Sequence, residues 1–281
     1  MGILIGLAAM TGAYLFAVKP SGRKDWMKRY QPFYFAHRGL YDNDSDAPEN
    51  SMKAFRNAIE HGYGMEMDVQ LSKDDIPVIF HDTWMDRVAR DSNHDPVSGK
   101  IHDYTLEQLK SFHLLKSNET IPTLAEFLEL VNGQVPLIVE LKTDNETDVN
   151  KLCTKTDELL SAYKGMYVVE SFHPMAVYWY KKHRPEIIRG QLSEAFTKTK
   201  QYRHLHYLCS EYLLFNGVTK PDFIAYNSKH ESNLSRRLAR KLFQVPSVAW
   251  TIQSDEELQH MKDKYDLFIF ESFKPEETPQ R

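Results

Sequence analysis

The part of the sequence with the clearest potential for chemistry is residues 64–82, GMEMDVQLSKDDIPVIFHD. Glu66 and Asp68 are separated by one residue within an apolar run typical of a buried strand, so both side chains should point to the same face. Two buried carboxylates without compensation are very unfavourable, and they therefore require a cation. A divalent metal ion, which prefers oxygen ligands, is the natural partner. The spacing predicts a metal site on this strand.

The same stretch predicts a β-hairpin. The strand-like runs 64–72 and 76–82 are joined by fewer residues than a parallel crossover needs, so the chain must turn back near Asp74. With that turn, position 68 pairs with position 80, and His81 lies level with Glu66 and Asp68. An imidazole titrates near neutral pH and suits proton transfer. A slip of one residue in register would turn it to the other face.

Along the rest of the chain, β-rich runs alternate with segments of helical periodicity, which indicates a parallel sheet. Setting aside the second arm of the hairpin leaves eight strands, and the roughly 255 residues from Lys24 onward match the usual length of a (β/α)8 barrel. We therefore predict an α/β fold, a TIM barrel over residues 24–281 with a β-hairpin after the second strand and a short insertion at 83–120. The β-rich runs are 33–36, 64–70, 76–80, 135–141, 166–170, 187–192, 222–226, 246–252 and 267–270; the helical segments are 50–61, 123–131, 148–163, 174–183, 233–242 and 254–263.

The N-terminal segment differs from this pattern. Residues 3–18, ILIGLAAMTGAYLFAV, contain no charged side chain, and a basic stretch follows. This order predicts a transmembrane anchor at residues 1–20 with its positive flank inside, hence a single-pass membrane protein whose main domain is cytoplasmic. The flank could also contact anionic lipid headgroups through Lys19, Arg23, Lys24, Lys28 and Arg29. The alternative is an apolar first helix that packs on the domain.

Composition excludes some classes of protein. The net charge of −4 lacks the electrostatic footprint of a nucleic-acid-binding protein, and no nucleic-acid partner is predicted. Two cysteines are too few for a small secreted fold held together by disulfides.

Seven short motifs occur in an order that resembles the glycerophosphodiester phosphodiesterase family, a part of the barrel superfamily that includes bacterial phosphatidylinositol-specific phospholipase C. The resemblance implies a metal-dependent enzyme, using Ca²⁺ or Mg²⁺, that hydrolyses a glycerophosphodiester to sn-glycerol 3-phosphate and an alcohol. The motifs are HRG at 37–39, APENS at 47–51, EMDVQLSKDDIPVIFHD at 66–82, IPTLAEFL at 121–128, VELK at 139–142, SFHP at 171–174 and WTI at 250–252.

The resemblance also implies roles for individual residues. Glu66, Asp68 and Glu140 resemble the family's metal carboxylates, and His37 and His81 resemble its catalytic acid and base, with the assignment of each role left open. Arg38 resembles the arginine that grips the phosphate, since its guanidinium can bind a phosphodiester through two hydrogen bonds. The remaining candidates for substrate binding are Lys142 as a second cation, Glu49 as a group that orients His37 or Arg38, and Trp250 as a wall of the alcohol pocket.

Several alternatives remain open from the sequence. Glu49 could instead be a helix N-terminal acid, and Trp250 could be plain barrel packing. Glu271 stands where the family commonly has Thr-Asp, which puts any role for it in doubt. His94, His102 and His113 lie in the insertion without metal-ligand spacing and are predicted to be surface residues; His204 and His206, within residues 202–209, also lack further ligands and are predicted to be ordinary side chains.

The reaction and the substrate also have alternatives. The attacking group is either water or the substrate's glycerol 2-hydroxyl, which would give a cyclic phosphate. A second hypothesis is a lysophospholipase D or phospholipase that acts on membrane lipids, which an exposed apolar rim at the barrel mouth would favour. A third is a barrel without catalytic activity that serves as a binding module, although the intact motif residues argue against it.

Overall fold

The computed structural model of the chain describes residues 1–199 and 204–276. Within these residues eight parallel strands close into a barrel, because β1 pairs with both β2 and β11. The strands are β1 (Phe35–Ala36), β2 (Gly64–Leu71), β3 (Pro77–Ile79), β4 (Ala89–Arg90), β5 (His113–Leu114), β6 (Leu137–Leu141), β7 (Tyr167–Ser171), β8 (Arg189–Ser193), β9 (Phe223–Asn227), β10 (Ser247–Ile252) and β11 (Leu267–Phe270). The predicted (β/α)8 fold is confirmed.

Helices follow the strands and cover the barrel. Those predicted from periodicity are present, and three of them begin at a residue whose hydroxyl accepts a hydrogen bond from the backbone three residues on, Ser51, Thr123 and Ser254. The helices are α1 (Gly2–Ala17), α2 (Met27–Tyr30), α3 (Met52–Glu60), α4 (Leu106–Lys110), α5 (Leu124–Val131), α6 (Val149–Leu160), α7 (Pro174–His183), α8 (Phe196–Thr199), α9 (Leu205–Glu211), α10 (Asn216–Thr219), α11 (Leu234–Phe243) and α12 (Asp255–Met261), with short 3-10 turns at Ile101–Asp103 and Ser228–His230.

The hairpin has the predicted register. Strand β3 runs antiparallel to β2, with Val69 opposite Ile79 and Leu71 opposite Pro77. The Phe80 backbone N–H donates to the carbonyl of Asp68 at 3.0 Å, as expected if the turn centres near residue 74. His81 therefore follows directly after the paired part of the hairpin, level with the two acids of β2.

The insertion at 83–120 packs on this hairpin. Its only strand pair in the described residues joins β4 to β5, and its apolar side chains form a separate cluster with two residues of the hairpin, Val78 and Phe80. Because the cluster needs these two residues, the insertion extends the hairpin and has no independent core.

The predicted membrane anchor is wrong. Helix α1 has 16 residues, and at 1.5 Å per residue it rises about 24 Å, less than the roughly 30 Å of a bilayer's hydrocarbon core. Among residues 1–199 and 204–276, no helix is long and apolar enough to cross a membrane. Because it depends on this anchor, the predicted single-pass membrane localisation with a cytoplasmic domain is wrong as well.

The segment that follows α1 binds the barrel. Arg23 Nε donates to the buried Asp222 at 2.8 Å, and the Ser21 hydroxyl donates to the same carboxylate. Met27 and Tyr30 then pack with interior apolar side chains of the barrel such as Phe223. The basic flank therefore has a structural partner in the protein.

The domain bounds 24–281 remain a prediction. Residues 277–281 lie outside the described part of the chain.

Candidate active site

The alternation of inward-facing and outward-facing side chains along the barrel strands creates the site. Along a strand, side chains two residues apart point to the same face. The inward-facing residue that follows the apolar layer of the barrel interior therefore lies at the carboxyl end of its strand. Six strands other than β2 place a polar or aromatic residue there, and these residues, together with Glu66 of β2, line one cavity of about 550 Å³. The inward pairs are Phe35 and His37, Ile138 and Glu140, Val168 and Glu170, Leu192 and Glu194, Val248 and Trp250, and Ile269 and Glu271.

The three predicted metal carboxylates lie together. Oxygens of Glu66, Asp68 and Glu140 lie within 4.8 Å of one another, and all three residues are buried. Asp68 stands opposite Glu140 in the register of β2 and β6. Burial and the neighbouring acids raise the pKa of Glu66 well above its usual range, and burial together with the charge of Asp68 raises the pKa of Glu140. Mutual repulsion of this kind is what a bound cation relieves.

A divalent cation fits this donor set. Among the described residues, Oε1 of Glu66 and Oδ1 of Asp68 are buried and have no hydrogen-bond partner. Lys142 Nζ lies 3.0 Å from Glu140 Oε1 and 3.5 Å from Asp68 Oδ1, and its single charge compensates only part of the group. Burial opposes ionisation of Asp68, but the charges of Lys142 and His81 outweigh it and lower the pKa of Asp68. The carboxylate oxygens that Lys142 does not contact suit a divalent cation, which prefers oxygen ligands.

Each predicted catalytic histidine is held by a carboxylate. His37 Nδ1 lies 2.6 Å from Glu271 Oε2, and His81 Nδ1 lies 2.6 Å from Asp82 Oδ1. Burial lowers the pKa of both imidazoles, and Arg38 and Lys142 add to the effect at His37 and His81 respectively. In both cases the carboxylate partner acts in the opposite direction and favours the protonated ring. With Nδ1 bound in this way, Nε2 of each ring remains for proton transfer.

Arg38 is oriented by the predicted Glu49. Its Nη1 donates to Glu49 Oε1 at 2.8 Å, and its Nε lies 3.6 Å from Asp68 Oδ2, which turns the guanidinium toward the carboxylates. Burial alone would raise the pKa of Glu49, but hydrogen bonds from Arg87 and the charge of Arg38 lower it to about 2. Glu49 therefore contacts Arg38, and its role as the group that orients this residue stays a prediction.

Sequence reasoning missed several residues of this site. Arg87, from the insertion, donates to Glu49 at 2.5 and 2.8 Å and to Asp82 at 2.5 Å, so it joins the partners of Arg38 and His81. Asn50 donates to Asp68 Oδ2 at 2.9 Å. The signal for Asp82 was its position beside His81, and the signal for Glu271 was its alternation with Ile269. Nothing local in the sequence indicated Arg87.

Aromatic side chains form one wall of the cavity. Trp250 and Phe172 pack edge to face with ring centroids 5.6 Å apart, and both line the cavity beside Leu192. Trp250 therefore faces the site, where either predicted role, pocket wall or packing, remains compatible with its position.

His102 lies at the surface of the insertion, with 36% of its side chain exposed, as predicted. Its ring lies with Asp144 and Glu146 in a second group of potential ligand atoms. Lys100 Nζ already lies 3.1 Å from Asp144 and 3.0 Å from Glu146, which compensates these carboxylates. His204 and His206 stack at the start of α9 with centroids 5.9 Å apart; residues 202 and 203 of that stretch lie outside the described residues.

Carboxylates, imidazoles and a guanidinium at the carboxyl ends of the strands of a TIM barrel are groups that a metal-assisted hydrolase of phosphate esters would use. The chain belongs to the glycerophosphoryl diester phosphodiesterase family, whose model matches residues 37–268. The predicted class of enzyme, a phosphoric diester hydrolase, is confirmed at this level.

Individual relatives support the same family. The chain is 32% identical to a glycerophosphodiester phosphodiesterase of Bacillus altitudinis, over 54% of this chain and 63% of that protein. It is 25% identical to glycerophosphodiester phosphodiesterase 1 of Bos taurus, over 95% of this chain and 87% of that protein. The match thus covers slightly less than two thirds of the Bacillus relative.

Solved structures share the fold. A phosphodiesterase of Oleispira antarctica, determined in complex with its product sn-glycerol-3-phosphate, has a TM-score of 0.68 at 24% identity and covers 87% of this chain and 94% of its own. A glycerophosphodiester phosphodiesterase of Thermotoga maritima has a TM-score of 0.62 at 22% identity and covers 85% and 93%.

Proposed function

We propose that this chain hydrolyses glycerophosphodiesters to sn-glycerol 3-phosphate and an alcohol, with a divalent cation, Ca²⁺ or Mg²⁺, bound by Glu66, Asp68 and Glu140. The observation that carries the proposal is the group of three buried carboxylates, two of them with unpartnered oxygens, in a cavity that also contains two carboxylate-bound imidazoles. The product bound to the Oleispira phosphodiesterase, whose fold this chain shares, belongs to the same reaction.

The two histidines would carry the protons. Hydrolysis requires one group that deprotonates the attacking oxygen and another that protonates the leaving alkoxide. His37 and His81 suit these roles because their Nδ1 atoms are bound by Glu271 and Asp82, which fixes each ring and stabilises the imidazolium that forms. The attacking group is water or the glycerol 2-hydroxyl of the substrate.

Cationic groups would bind the phosphate. When present, the divalent cation would stabilise negative charge on the phosphodiester and lower the pKa of the attacking hydroxyl. Arg38 can present two N–H groups to phosphate oxygens, and Glu49 holds its guanidinium in place. Lys142 would add a second charge from the same side of the cavity as Glu140. Preorganised charges of this kind favour the transition state over the ground state.

The test uses the full-length chain, since Ser21 and Arg23 bind the barrel. The protein is stripped with EDTA and supplied with Ca²⁺ or Mg²⁺ and with glycerophosphocholine or glycerophosphoethanolamine, and glycerol 3-phosphate is measured. We expect product only after a metal is restored. A transient cyclic phosphate would identify the glycerol 2-hydroxyl as the attacking group. If no product forms with Ca²⁺ and none forms with Mg²⁺, the proposal is contradicted.

A second candidate substrate is a lysophospholipid, cleaved to lysophosphatidic acid and an alcohol. A groove of about 780 Å³ adjoins the active-site cavity and shares Phe172 with it, and Trp84 and Phe196 also line the groove. Trp84 is 57% exposed on the insertion. Apolar surface beside the cavity is what an acyl chain would contact.

The lysophospholipid hypothesis has its own test. Trp84→Ser should raise the KM for a lysophospholipid and leave the KM for glycerophosphoethanolamine unchanged, because only the larger substrate would reach the groove. Leu242→Ser, at an exposed position on α11, is the control. Equal effects of Trp84→Ser on both substrates would rule out the groove as an acyl site.

A further inference from the structure

Glu170 is a buried carboxylate of the site to which neither the family resemblance nor the predicted ligand set gives a role. It lies on β7 directly opposite Glu140 on β6, and Glu140 in turn lies opposite Asp68 on β2. Glu170 is 1% exposed and lines the active-site cavity. Within the described part of the chain, its Oε2 has no hydrogen-bond partner. A buried polar atom of this kind normally has a partner, so the orphaned oxygen requires an explanation.

We propose that Glu170 is a further carboxylate of the cation site, so that three adjacent barrel strands, β2, β6 and β7, each contribute acid to it. The inference rests on the proposed function, because it concerns the same site. Asp68, Glu140 and Glu170 form one row across the three strands. The side chains of Glu140 and Glu170 line the cavity, and Asp68 lies 3.6 Å from Arg38 and 3.5 Å from Lys142, which line it as well. Glu170 stands outside the group of three whose oxygens lie within 4.8 Å, so it contributes its charge from the edge of the site.

Charge supports this assignment. Glu66, Asp68, Glu140 and Glu170, counted as ionised, carry four negative charges. Among the described residues, Lys142 and Arg38 contact this group through their cationic groups, and Arg38 also pairs with Glu49. At least two negative charges therefore remain for a divalent cation to compensate, and Glu170 supplies one of them. Ligand charge is one of the quantities that sets cation affinity, so the additional acid should tighten binding.

An alternative use of Glu170 would be a hydrogen bond to a substrate hydroxyl. The two roles differ in a simple way, because a contribution to the cation site exists without substrate, whereas a contact with substrate does not. The decisive measurement is therefore cation affinity in the absence of any phosphodiester.

The experiment compares chelator-stripped wild type, Glu170→Gln, Glu170→Asp, Glu66→Gln and Glu194→Gln by calorimetric titration with Ca²⁺ and by Tb³⁺ luminescence. Glu194 is the matched control, since it is also a buried glutamate that lines the cavity. We expect Glu170→Gln to weaken Ca²⁺ binding by at least ~10-fold, and Tb³⁺ binding by more because the lost interaction scales with the charge of the ion. Glu170→Asp should retain most of the affinity, and Glu194→Gln should change it by less than about twofold.

Thermal melting checks that the variants fold and gives a second readout. Because Glu170→Gln removes one of several buried acids that repel each other, the metal-free variant should melt above metal-free wild type, while the rise in Tm on adding Ca²⁺ should be smaller. If Glu170→Gln fails to fold, Glu170→Ala removes the same charge, and a Ca²⁺ affinity equal to that of wild type would contradict the proposal.

The outcomes separate this inference from the proposed function. If wild type binds Ca²⁺ and Glu66→Gln weakens binding while Glu170→Gln does not, the role of Glu170 is wrong and the three-carboxylate site stands. Unchanged affinity with a raised KM in Glu170→Gln would also overturn the inference and would identify a substrate contact. If wild type binds neither Ca²⁺ nor Mg²⁺, both the inference and the proposed metal site are wrong.

Discussion

His37 Nδ1 lies 2.6 Å from Glu271 Oε2, although 234 positions separate the two residues in the chain. The contact follows from closure of the barrel. Phe35 on β1 pairs with Ile269 on β11, so the residues two positions further on, His37 and Glu271, extend from neighbouring strands at the same level. Tyr41 and Gln253 also donate to this carboxylate, at 3.1 and 2.9 Å. Glu271 is therefore fixed as the orienting partner of the imidazole.

Replacing Glu271 with Gln should lower the pKa of His37. Burial and Arg38 already lower it, and contact with the Glu271 carboxylate is the largest effect that raises it. Removing that negative charge leaves the imidazolium less stable, so the ring should lose its proton at lower pH. NMR titration of the histidine ring signals measures this shift, and His81 in the same spectra is the internal control. An unchanged His37 titration would show that Glu271 does not stabilise the imidazolium.

His37→Ala and His81→Ala should each reduce kcat by at least ~100-fold, since each removes a group proposed to transfer a proton. The metal-free and Ca²⁺-bound melting temperatures should remain close to those of wild type. His94→Ala, at an exposed position on the insertion, is the control and should retain full activity. Near wild-type turnover in both active-site variants would mean that other groups carry the protons.

Local patterns in the sequence predicted the parts of this site that depend on neighbouring residues. The acids of β2 share a face because one residue separates them, and the short turn after Leu71 fixed the register that brings His81 beside them. The contacts of Glu271 and Arg87 could not be predicted in this way. Glu271 meets His37 because the barrel closes, and Arg87 meets Glu49 because the insertion packs on the hairpin. At α1, the apolar composition predicts an anchor, but the helix ends after 16 residues.

Arg87→Gln should weaken the acid stability of the protein and its activity together. Burial would raise the pKa of Glu49, but Arg87 and Arg38 lower it from 4.5 to about 2, and Arg87 also helps to lower the pKa of Asp82. A carboxyl group with a depressed pKa stabilises the fold above its unfolded pKa, and this stability is lost as the pH falls from about 4.5 toward 2. Without Arg87 the depression is smaller, so less stability is present at neutral pH and acid unfolding should begin at higher pH.

Circular dichroism across an acid titration measures this shift, with Arg56→Gln as the matched control because Arg56 is an exposed arginine on α3. We also expect kcat/KM to fall by roughly 10-fold in Arg87→Gln, since Asp82 and Glu49 lose the group that holds them beside His81 and Arg38. An acid-unfolding midpoint equal to that of wild type would show that Arg87 is not needed to keep these carboxylates ionised.

Arg23→Gln should destabilise the barrel from the side away from the active site. The Asp222 side chain is fully buried, and Arg23 is its closest cationic partner, whereas Arg189 lies 3.6 Å away. Removing one partner of a buried ion pair leaves an incompletely compensated charge, so Tm should fall by at least ~3 °C. Lys24→Gln, which removes an exposed contact with Gln244, is the control and should leave Tm nearly unchanged. Equal melting temperatures for Arg23→Gln and Lys24→Gln would mean that Ser21, Arg189 and the backbone compensate Asp222 sufficiently without Arg23.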